Sequence, residues 1–98
     1  MTLERTKLDV ITRYLERQFP DSVVEDQYDF DHSAQTFKVS RDRGHYLAKL
    51  DEGFLDDQQV DTLGQWLVDN QLDMKLRAGP TETVWVMSDG KLAVRPRG

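Results

Sequence analysis

Apolar residues in the first fifth of the chain recur with a helical period. Leu8, Ile11, Leu15 and Phe19 stand three or four residues apart and form one stripe. Thr6 and Asp9 have capping-box spacing, and Thr2 offers a start one turn earlier. Pro20 disfavours helical geometry in the residue before it, so the helix is expected to stop at Phe19. On the outer face Arg5, Asp9, Arg13 and Arg17 stand four apart, with Asp9 and Arg13 the expected ion pair. Beyond Asp21 the period changes to two. Val24, Tyr28 and Phe30 fall on one face, and Val23, Glu25, Gln27, Asp29 and Asp31 on the other. Asp26 interrupts the first face, which predicts an edge strand or a bulge. After a turn at His32 to Gln35, Phe37, Val39 and Arg41 alternate with Lys38 and Ser40. Asp42-Arg43-Gly44 is a reverse turn, with Gly44 free to take positive φ. The third strand sets Tyr46, Ala48 and Leu50 against Leu47.

The second half follows a similar order. A helix is expected to begin near Asp56 or Asp57, with Val60, Leu63 and Leu67 as its stripe and Trp66 on the flank. Gly64 inside it costs about 1 kcal/mol relative to alanine, which suggests a close approach to the sheet. Leu72, Met74 and Leu76 alternate with Asp73, Lys75 and Arg77, a pattern read as a strand. Thr83 to Met87 is β-branched and aromatic, Ser88-Asp89-Gly90 turns the chain, and Lys91 to Arg95 forms the last strand. The expected fold is α+β: two helix–strand–strand–strand halves building one antiparallel sheet, with the helices packed on one face. Residues 1–98 are expected to form a single domain.

Charge narrows the function classes. Thirteen bases against eighteen acids give a net charge of −5, which disfavours nonspecific attraction to phosphate backbones or anionic lipid. The acids cluster: Asp21, Glu25, Asp26, Asp29 and Asp31 lie between Gln18 and Gln35 without a single Lys or Arg. There is no cysteine, so disulfides, thiolate ligands and thiol nucleophiles are excluded and a cytoplasmic setting is expected. The longest apolar run is Val84 to Met87, far short of the roughly 20 residues of a membrane helix. Met1 to Arg5 leads straight into a charged amphipathic segment, so neither export signal nor membrane association is expected.

Candidate chemistry is sparse. Asp29, Asp31 and His32 supply oxygen and imidazole donors at a hairpin tip, but a solvated acidic edge accounts for the same residues, and no metal is expected. His45 and Tyr46 point to opposite faces and do not converge. No serine sits in a nucleophile elbow, and no glycine-rich phosphate loop occurs, so neither enzymatic activity nor a cofactor is expected. A basic patch of Lys38, Arg41 and Arg43 with Phe37 and Tyr46 is the nucleic-acid alternative, weakened because both aromatics belong to the apolar face. The favoured site is the opposite sheet face. Val84 and Val86 fill one side of their strand, leaving Trp85 and Met87 on the other, with Leu47 or Ala93 beside them. Such a patch marks a protein partner or a homodimer contact. In element order and acidity the chain resembles the small α+β class of bacterial secretion chaperones. That resemblance, which rests on no motif, implies acidic dimers that bind unfolded segments of partner proteins.

Overall fold

The computed structural model describes residues 5–42 and 44–96, and Arg43 lies outside them. Helix α1 (Arg5–Gln18) is followed by a meander of β1 (Val23–Asp29), β2 (Ala34–Arg41) and β3 (Gly44–Asp51). Three helices come next: α2 (Glu52–Asp57), α3 (Val60–Asp69) and α4 (Leu72–Ala78). The chain then returns to the sheet as β4 (Glu82–Val86) and β5 (Leu92–Pro96). The five strands lie in sequence order. All neighbours are antiparallel except β3 and β4, which run parallel through Leu47–Thr83, Ala48–Val84, Lys49–Trp85 and Leu50–Val86. A parallel pair needs a long crossover, and the three helices provide it. The sheet is therefore mixed. The repeated order survives loosely: each half opens on helix and closes on an antiparallel hairpin.

The helical stripe of α1 is buried as its spacing predicts, with Leu8, Ile11, Leu15 and Phe19 all in the core. They meet Phe37 and Val39 of β2, Ala48 and Leu50 of β3, and Val84 and Val86 of β4. These strand residues share one face by register. Leu55, Leu63, Leu67, Leu72 and Leu76 close the core from α2, α3 and α4. Full burial of each such side chain contributes about 1.5–3 kcal/mol before chain entropy is charged against it. On α1, Asp9 pairs back to Arg5 at 3.1 Å and not forward to Arg13. Arg5 also reaches Asp26 at 3.0 Å, which explains a carboxylate on the covered face of edge strand β1.

Three expectations are corrected in the second half. Residues 72–78 form helix, not strand. Leu72 and Leu76, four apart, are both buried while Met74 is 55% exposed, so the apparent alternation was one helical turn with an outward methionine between. Helix also begins earlier than Asp56: Asp51 caps α2 by accepting the Gly53 N–H at 2.8 Å, and Phe54 and Leu55 are its buried residues. The chain breaks at Gln58 and restarts at α3, where Gln59 and Thr62 form the capping box. Gly64 faces α1 rather than the sheet: a Cβ there would lie 3.8 Å from Val10 Cγ1, ordinary contact. At the β2–β3 turn Gly44 takes φ +146°, as its turn position predicts.

Candidate functional site

Helices cover one face of the sheet, and the strand registers define what the other face carries. One row runs across all five strands as Glu25, Lys38, Leu47, Thr83 and Arg95. The next runs as Gln27, Thr36, Lys49, Trp85 and Ala93. Beyond it lie Asp29, Ala34 and Asp51. Leu47 and Trp85 are thus brought close together near the middle of the uncovered face. Both are half-buried, as is Met87, which follows β4 at the rim.

Trp85 is bracketed by cations. Lys49 Nζ lies over its ring at 5.1 Å from the centroid, and the Arg95 guanidinium carbon lies 5.9 Å away. The His32 ring meets it edge to face with centroids 5.3 Å apart. His32 reaches this position because the β1–β2 turn folds towards the open face, with Ser33 at φ +49°. Asp29 anchors the arrangement. Its Oδ1 accepts the backbone N–H groups of Asp31 (3.0 Å) and His32 (3.3 Å), closing the turn. Its Oδ2 accepts Lys49 Nζ at 2.6 Å and lies 2.8 Å from His32 Nδ1. The Lys49 ammonium first, and His32 second, hold the Asp29 carboxyl well below the usual carboxylate range.

This geometry changes the chemistry of the candidate residues. Both Asp29 oxygens are engaged by the turn, Lys49 and His32, so the carboxylate works as a structural acceptor. Trp85 is not a bare apolar patch but an aromatic ring framed by Lys49, His32 and Arg95. Of the basic patch, Lys38 and Arg41 stand on opposite faces: Lys38 is exposed on the open face, whereas Arg41 follows Val39 in parity on the covered face. Arg41 lines a cleft of about 580 Å³ at the sheet end, where Asp21 and Asp42 also line the wall. Arg43 lies outside the described residues. Phe37 is fully buried, and Tyr46 packs on Phe19 with ring centroids 5.0 Å apart.

The roles of His32, Lys49 and Arg95 at this site were not visible in the sequence. Alternation assigns Lys49 and Trp85 each to a face of its own strand, but it does not reveal that β3 and β4 are neighbours. No helix is long and apolar enough to cross a membrane among the described residues. Set against protein-family models, curated proteins and solved structures, the chain matches none.

Proposed function

We propose that this protein is a non-enzymatic, cytoplasmic binding module that takes a partner protein on the uncovered sheet face around Trp85. One observation carries the reading: Trp85 stands on β4, beside the central strand of a five-stranded face that no helix among the described residues covers, half-buried, with Arg95 against its ring. Tryptophan and arginine are the residues that most often dominate binding energy at protein interfaces, and they do so from central positions. The surrounding charges are mixed, with Glu25, Lys38, Lys49 and Asp29 in adjacent rows. Mixed charge suits a folded protein surface better than a polyanion.

Affinity capture from a cell extract by the wild type, by Trp85→Ala and by Trp66→Phe tests this. Trp66 lies on α3 against Phe54 and serves as the control. The expected result is a partner retained by the wild type and by Trp66→Phe, and lost by at least tenfold with Trp85→Ala, since central aromatic truncations cost upwards of about 2 kcal/mol. A partner captured equally by all three would place binding elsewhere on the molecule.

A further inference from the structure

We propose that copies of this chain associate edge to edge, β5 of one against β1 of the next, into a continuous sheet. This goes beyond the face around Trp85 and uses the sheet edges, with Arg95 the one residue common to both. Among the described residues β1 and β5 are the two ends of the sheet, and each has a ladder neighbour on one side only. Their charges are opposite. β1 carries Glu25, Asp26 and Asp29, with no Lys or Arg between Gln18 and Gln35; Asp26 already meets Arg5, and Asp29 meets Lys49 and His32, which leaves Glu25 as the edge's principal acid. β5 carries Arg95 and no acid, with Lys91 just before it.

Direction and register both fit. Because β3 and β4 are parallel, β5 runs antiparallel to β1; five strictly alternating strands would leave the two ends parallel. Laying a second copy alongside in the same orientation therefore makes an antiparallel ladder and keeps the uncovered faces on one side. Glu25 and Arg95 occupy the two ends of the same row. Continuing that row sets Arg95 opposite Glu25 of the next copy, Ala93 opposite Gln27 and Lys91 opposite Asp29. Acid and base thus oppose each other at Glu25 and Arg95, while Lys91 approaches Asp29, whose oxygens already meet Lys49 and His32. Pro96 has no N–H to contribute, so the ladder ends at Arg95 on that side. The contact is heterologous, so association extends as an open chain and does not stop at a symmetric dimer.

Sedimentation velocity over a concentration series tests the proposal with three proteins: wild type, Glu25→Lys and Arg95→Glu. Both side chains are exposed, so both variants should keep the wild-type melting profile. The wild type should show mass rising with concentration at about 20 mM salt and falling back at about 0.5 M, where exposed charges are screened. Each variant alone should associate about tenfold more weakly, because its two edges now carry like charge. An equimolar mixture of the two variants should recover the wild-type association, since every edge again meets its opposite. Lys91→Glu should weaken self-association in the same direction as Arg95→Glu. A wild type that stays monomeric at low salt overturns the proposal. So does association that both reversals leave unchanged, or a mixture that fails to recover it.

Discussion

The Tyr14 hydroxyl ties α1 to the first turn of α4, donating to Asp73 Oδ1 at 2.7 Å and accepting the Asp73 backbone N–H at 3.1 Å. One phenol thereby holds the longest helix against the last helix of the crossover. The Asp73 carboxylate, in turn, stands at a helix N-terminus, where negative charge is favoured.

Tyr14→Phe should destabilise the fold by about 1–2 kcal/mol, because the Asp73 carboxylate loses a partner in a partly buried place. Urea unfolding measures this, and a variant as stable as the wild type would mean that water replaces the phenol without loss. Burial, reinforced by the Asp73 carboxylate, pushes the Tyr14 phenol up to about 12 from an ordinary value of 10.0. The folded state thus holds this proton more tightly. Its contribution is complete below the unfolded value and is lost as pH rises through the folded one. Stability should fall between these two values in the wild type, and fall less in Tyr14→Phe.

The opposite sign applies at Asp29. Its carboxyl is depressed by Lys49 and then His32, so its contribution is present above the ordinary carboxylate value of about 3.9 and lost as pH falls through the depressed one. Melting temperature followed into acid should drop more steeply for the wild type than for Asp29→Asn. The same variant should change Trp85 emission at neutral pH in a Trp66→Phe background, because His32 loses its anchor. Unchanged emission would show that His32 holds its place on Trp85 without Asp29.

Two glycines separate conformational need from mere occupancy. Gly90 takes φ +83°, with Phe54 and Trp66 atoms 3.7 Å from where a Cβ would stand, so Gly90→Ala should cost about 1–2 kcal/mol. Gly64 sits inside α3 with room for a methyl group against Val10, and Gly64→Ala should add about 0.5–1 kcal/mol. Thermal unfolding of the pair decides it; a destabilised Gly64→Ala would show that α1 and α3 approach more tightly than a methyl allows.

Where a segment spans several periods, its structure was legible in the sequence. The α1 stripe from Leu8 to Phe19 covers three turns, and the parity of Phe37, Val39, Ala48 and Leu50 placed the covered face correctly. Residues 72–78 were too short for that. Two leucines four apart satisfy both periods, and the deciding signal was composition: Leu, Met, Lys, Arg and Ala are all strong helix formers, with no β-branched residue among them. Alternation likewise put Trp85 opposite Val84 and Val86. It could not supply Lys49 and Arg95 as its neighbours, because strand order is set by the crossover and not by any local pattern.

That crossover also governs how the molecule assembles itself. The β1–β2–β3 meander and the β4–β5 hairpin each close across short turns, so each can form from contacts near in sequence. Their union depends on Leu47 finding Thr83 and Leu50 finding Val86 after the intervening helices have collapsed. This four-residue seam runs through the centre of the sheet, so the last step of folding and the first step of opening are expected to coincide there. Amide exchange along β3 should then report the lifetime of the whole fold, while the turns on either side exchange on their own faster clocks.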